Sequence, residues 1–92
     1  MELEQLRIFS AVARSGSFSR GAKSLYISHS TTSRCVSALE EELGVRLLER
    51  GNRVLGLTAA GELLRREGER LLEQSDALAD QLRSMGGGKR RA

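Results

Sequence analysis

Ser30, Ser33, Arg34 and Ser37 fall at positions i, i+3, i+4 and i+7, the spacing that collects side chains on one face of an α-helix, with His29 beside them. Small hydroxyls donate and accept hydrogen bonds at short range. The arginine guanidinium presents a planar fork of donors that matches a phosphate or the acceptor edge of a base. The opposite face carries Thr32, Val36, Leu39 and Leu43, the stripe a helix needs to pack on a core. Ser28 and Thr31 add two more hydroxyls at the start of the same helix. The candidate contact set on this face is Ser28, His29, Ser30, Thr31, Ser33, Arg34 and Ser37, and its chemistry suits close approach to a polyanion rather than bond-breaking.

The rest of the inventory supports that exclusion. The chain has one histidine, one cysteine and no aspartate before Asp76, which leaves no acid–base pair for catalysis and no ligand cluster for a metal. No cofactor motif is present, so neither enzyme activity nor a cofactor is expected. Cys35 reads as a small, partly buried residue. The net charge of +3 is modest, but its placement is local. Arg14, Arg20, Lys23 and Arg34 precede Leu39 without an intervening acid, and Glu40, Glu41 and Glu42 follow. No apolar run approaches the roughly 18 residues of a membrane span, and no signal-peptide pattern opens the chain, so the expected location is the cytoplasm.

The 92 residues predict one small domain. Only Phe9, Phe18 and Tyr26 are aromatic, and proline is absent, which favours a leucine–valine–alanine core and uninterrupted helices. Leu3, Leu6, Phe9, Val12 and Ala13 predict a first helix ending near Arg14, stopped by Ser15 and Gly16. Ser17 caps a second, burying Phe18, Ala22 and Leu25, with Gly21 allowing a close helix approach. The short turn 26–28, anchored by Ile27, leads to a third helix capped by Ser28 and closed by Gly44. Segments 45–50 and 54–57 flank Gly51-Asn52-Arg53 and predict a β-hairpin. Thr58 caps a final helix from Ala59 to about Ser84, roughly 39 Å long at 1.5 Å per residue.

That last helix is longer than the domain can cover. Leu64, Leu71, Leu78 and Met85 are seven apart, with Leu57, Gly61 and Leu82 on the neighbouring stripe, and such a seam requires a partner helix, most economically its own copy. Gly68 and Ser75 interrupt the second seam position, so the pattern is not a leucine zipper, but small residues there let two helices approach. The expected dimer-interface residues are Leu64, Leu71, Leu78, Leu82 and Met85. Residues 86–92 read as a flexible basic tail.

In this order and spacing the chain resembles the LysR-type transcriptional regulators. The resemblance runs over about 1–82 and is carried by Leu6-Arg7-Ile8-Phe9, Gly16-Ser17-Phe18-Ser19, Ala22, Leu25, Ile27-Ser28 and Ser33-Arg34. It continues through Leu39 to Arg50 and ends on Leu57-Thr58-Ala59-Ala60-Gly61. The resemblance implies a mainly α fold: a winged helix-turn-helix of three helices plus a β-hairpin wing over 1–58, followed by a dimerisation helix over 59–85. It implies double-stranded DNA with an inverted-repeat operator as the partner of a homodimer. The third helix, 29–43, would lie in the major groove and the wing, 50–54, at the minor groove. Arg53 at the wing tip and Arg50 near phosphate then join the contact set.

The chain departs from the family in several places. His29-Ser30 stands where the family usually has Gln-Pro, Thr32 where leucine is common and Leu48 where phenylalanine is common; the latter two are expected to loosen the core. The family's effector domain, about two hundred further residues, does not follow, so a DNA-binding piece or natural truncation without a co-inducer site is expected. A module that uses the winged helix and the long helix only to bind other proteins is the competing reading.

Overall fold

The computed structural model describes residues 1–50 and 55–87. Its elements run α1 (Leu3–Ser15), α2 (Phe18–Ser24), α3 (His29–Leu43), β1 (Leu48–Arg50), β2 (Leu55–Leu57) and α4 (Ala59–Gly87). The boundaries follow from local chemistry. At the start of α1 the Glu2 amide donates to Gln5 Oε1 at 2.8 Å. Gly16, at φ 69°, ends the helix in the left-handed conformation and donates its amide to the Val12 carbonyl. Ser17 accepts the Arg20 amide and Ser28 the Thr31 amide, capping α2 and α3 as expected, and Gly44 closes α3 at φ 72°.

The core is built where α1 and α3 meet the foot of the hairpin, from Phe9, Val12, Val36, Leu39, Leu47 and Leu48. Gly21 permits the α1–α2 contact: a Cβ there would stand 3.0 Å from the Val12 backbone. Leu48 is fully buried in the place expected to be loose. Thr32 is also buried, and its hydroxyl donates to the Ser28 carbonyl at 3.0 Å, so the polar group is satisfied inside the core. Leu43, expected on the buried stripe, is 39% exposed because the last turn of α3 overhangs the core edge.

β1 and β2 pair antiparallel, with Leu48 opposite Leu57 and Arg50 opposite Leu55. The strands are shorter than the expected 45–50 and 54–57, and the tip that was to present Arg53 lies outside the described residues. Glu40, which the sequence suggested was part of an acidic flank, is instead a fastener. Its carboxylate accepts the amides of Leu47 at 2.8 Å and Leu48 at 3.3 Å, tying the end of α3 to the entry of β1. Thr58 then accepts the Gly61 amide at 3.0 Å and donates to the Arg46 carbonyl at 2.6 Å, so one hydroxyl caps α4 and fixes it to the hairpin base.

Helix α4 has 29 residues, about 43 Å, and reaches Gly87, past the expected end at Ser84. Once a helix is established each added residue gains a hydrogen bond, which carries it into Gly86-Gly87 despite their poor propensity. Residues 88–92 of the expected tail lie outside the described residues. The first half of α4 packs on its own domain. Gly61 backs onto Leu47, just before β1, where a Cβ would overlap the carbonyl oxygen, and a Cβ on Gly68 would stand 3.2 Å from Leu6 Cδ2. Leu72 is buried, and Arg7–Asp76 (2.7 Å) and Arg14–Glu69 (3.2 Å) bridge α1 to α4. No helix of the described residues is long and apolar enough to cross a membrane.

Candidate nucleic-acid interface

The contact set on α3 assembles on one exposed face. Ser28, His29, Ser30, Thr31, Arg34 and Ser37 are exposed and Ser33 is half-buried. Arg34 makes no hydrogen bond or ion pair among the described residues, and neither do the hydroxyls of Ser30, Ser33 and Ser37, so their donors point to solvent. Ser28 is more constrained. Its oxygen accepts the Thr31 amide at 3.0 Å while its own proton goes to Thr31 Oγ1 at 2.9 Å. The cap therefore uses the Ser28 proton and leaves the Thr31 proton free to donate outward. The His29 ring lies against Phe18, centroids 5.7 Å apart and planes tilted by 58°, a contact that fixes the imidazole at the junction of α2 and α3.

The structure redistributes the cations that the sequence grouped together. Arg14 pairs with Glu69 of α4 and Arg20 donates to the Ser15 carbonyl at 3.1 Å, so both have partners inside the fold. Lys23, at the end of α2, is exposed and has no partner among the described residues. Among the described residues, the positive side chains left free near the α3 face are thus Lys23 and Arg34. Arg50 lies in β1, but its side chain falls outside the described residues, as does Arg53. Cys35 is half-buried on α3, and burial pushes its thiol above the ordinary cysteine range, away from thiolate character.

The link between α2 and α3 is tight. The amide of Tyr26 donates to the Lys23 carbonyl at 3.2 Å and that of Ile27 to the Ala22 carbonyl at 3.0 Å, the paired bonds of a Schellman closure. This turn sets α3 across α2 with its N-terminal face uncovered. The arrangement is a helix-turn-helix with a β-hairpin following.

The family model for bacterial regulatory helix-turn-helix proteins of the lysR family matches residues 3–62. The chain belongs to the LysR family. A probable RuBisCO transcriptional regulator of Porphyra purpurea is 45% identical over 89 residues, covering 94% of this chain and 28% of that protein. The BenM DNA-binding domain in its complex with catB site 1 DNA superposes with a TM-score of 0.90 at 38% identity, over 92% of this chain and 96% of that one. The CbnR DNA-binding domain in complex with DNA superposes at 0.87 with 41% identity, over 92% and 98%. This LysR-family chain spans less than a third of the length of the curated relatives it matches.

The second expected site is the seam on α4. Leu71, Leu78, Leu82 and Met85 are exposed, by 44%, 55%, 59% and 77%. Leu64 is partly buried against the domain's own core, Gly68 faces Leu6 of α1, and Ser75 is half-buried. Leu63, outside the expected set, is 52% exposed. The burial of Leu64 is not a matter of phase: at about 20° of drift per seven-residue step, Leu64 and Met85 lie about 60° apart on one broad stripe, and Leu64 differs because the first half of α4 lies on the domain. Leu63 and Leu71 join Leu43, Val45 and Met1 along a groove of about 430 Å³.

Proposed function

We propose that this chain is the DNA-binding and dimerising part of a LysR-family transcriptional regulator, acting on double-stranded DNA in a bacterial-type cytoplasm. The observation that carries the reading is the exposed α3 face, where Arg34 and the hydroxyls of Ser30, Ser33 and Ser37 have no partner among the described residues and follow the capped, electropositive start of a helix. In the major groove, Arg34 reaches a base edge, Ser30, Ser33 and Ser37 bond phosphates or bases, and His29 presents its ring edge beside them. Ser28 orders the first turn and Thr31 donates outward from it. Arg50 and Arg53 serve the wing at phosphate and minor groove.

Residues 1–58 form the reading head, 59–85 the linker that pairs two copies, and 86–92 a basic extension of it. A two-fold dimer through α4 places two α3 helices on an inverted repeat, with half-sites about 34 Å apart per helical turn. The DNA complexes of BenM and CbnR support the docking mode by likeness of fold. No small-molecule effector is needed for this step.

Selection of bound duplexes from a random pool tests the reading. It is expected to return an inverted repeat with fixed half-site spacing, and affinity that falls steeply as salt rises. Absence of duplex affinity even at low salt would overturn it in favour of a protein-interaction module.

A further inference from the structure

Among the described residues glycine occupies two of three left-handed positions, Gly16 and Gly44, and tyrosine the third, Tyr26, at φ 59°. Tyr26 occupies the residue of the Schellman closure where a Cβ is least welcome, so folding alone favours glycine there. Nothing in the fold repays the tyrosine. Its ring is 95% exposed and gains no burial, and its hydroxyl has no hydrogen-bond partner among the described residues. A strained, exposed aromatic residue is an outlier that points away from stability and towards contact with something else.

Its position indicates what that is. Tyr26 lies two residues before Ser28, the cap of α3, and its amide is bonded to the carbonyl of Lys23, whose ammonium is exposed and unpartnered among the described residues. A neutral donor and a free cation therefore share one turn at the rim of the α3 face. We propose that Tyr26 is a further DNA-contact residue, its phenolic O–H donating to a backbone phosphate where α3 enters the groove, with Lys23 supplying the neighbouring positive charge. This rests on the DNA-binding reading above. A phosphate contact of this kind carries no sequence information and acts by fixing register, so its loss weakens every duplex alike. The αL backbone is what holds the ring out from the turn instead of along α2.

Duplex affinity and thermal stability of Tyr26→Phe and Tyr26→Gly, measured beside the parent chain, test the assignment. Tyr26→Phe removes one oxygen and is expected to bind about tenfold more weakly, equally on selected and random duplexes, with unchanged Tm. Tyr26→Gly is expected to show the same loss with Tm at or above that of the parent. Parent-like affinity in Tyr26→Phe, or a fall in Tm in Tyr26→Gly, would overturn the proposal, the second because it would give the tyrosine a structural role. Failure of the parent chain itself to bind duplex would instead sink the DNA-binding reading. A methylphosphonate scan of the selected duplex adds a direct readout: one neutralised phosphate per half-site should weaken the parent and leave Tyr26→Phe unaffected.

Discussion

Helices α3 and α4 each leave one face uncovered, and the two faces are chemical opposites. On α3 the open face is hydroxyls and Arg34; on α4 it is Leu63, Leu71, Leu78, Leu82 and Met85. A polar face is hydrated at no cost, so α3 can wait in solution and exchange water for a charged partner reversibly. An apolar face loses about 25 cal/mol for each Å² left in water, so the open side of α4 favours permanent cover. Under the proposed function the contrast implies an order of assembly, with the apolar faces pairing first and the paired molecule then presenting two polar faces together. It would also separate the causes of affinity, contacts belonging to α3 and their number to α4.

The largest expected effect comes from breaking the apolar face. Leu78 lies beyond the part of α4 that packs on the domain and is 55% exposed, so Leu78→Asp places a charge in the seam without touching the core. Sedimentation should show a monomer with unchanged helical content. Affinity for the selected duplex should fall by about a hundredfold or more, because the second half-site is no longer bound intramolecularly. A dimer that survives this substitution would mean that the seam runs along another face of α4.

The helix-turn-helix was legible because its determinants are local. Caps at Ser17, Ser28 and Thr58 and closing glycines at 16 and 44 are written within a few residues of the bonds they make, and the structure has them where the sequence implied. The α3 face was legible for the same reason, since periodicity alone decides which side chains share it. What stayed hidden depends on contacts between distant residues. Nothing around Arg14 says that Glu69 will capture it, and nothing around Glu40 says that its carboxylate will hold two amides beyond Gly44. The partial burial of Leu64 has the same origin: heptad counting groups it with Leu71, Leu78 and Met85, but the packing of Gly61 on Leu47 and of Gly68 on Leu6 lays the first half of α4 on the domain, so Leu64 meets the core while Leu63 is exposed. A glycine–glycine step of seven was the available signal for that buried face.

The polar face gives a smaller and more selective effect. Arg34 has no partner among the described residues, so Arg34→Ala should leave Tm unchanged. If its guanidinium makes a bidentate base contact, affinity for the selected duplex should drop by about 1–3 kcal/mol, with little change on random sequence. Competition binding with the two duplexes separates the cases, since an equal loss on both would leave Arg34 a phosphate contact only. That outcome would place sequence choice on His29 and Ser30, where the chain departs from its family.

The smallest effect is expected where neither face is involved, at the α1–α4 bridge. Arg7 and Asp76 are 2.7 Å apart with side chains 41% and 59% exposed, and solvent screens such pairs strongly. The hydrogen bond from Arg7 holds the Asp76 carboxyl below its ordinary range. A carboxylate whose pKa is lowered by folding contributes stability above the pH at which the unfolded chain ionises, and that contribution is lost as pH falls through the lowered folded value. Asp76→Asn should therefore differ from the parent by a Tm shift near the limit of detection at neutral pH, and the two curves should merge in strong acid and in high salt. A large gap that persists in high salt would mean that the bridge itself sets the seat of α4. If the curves merge, the seat is set by apolar and steric contacts, the Gly61 backbone on Leu47, Gly68 on Leu6 and buried Leu72, and the direction in which α4 presents its open face is fixed by packing rather than charge.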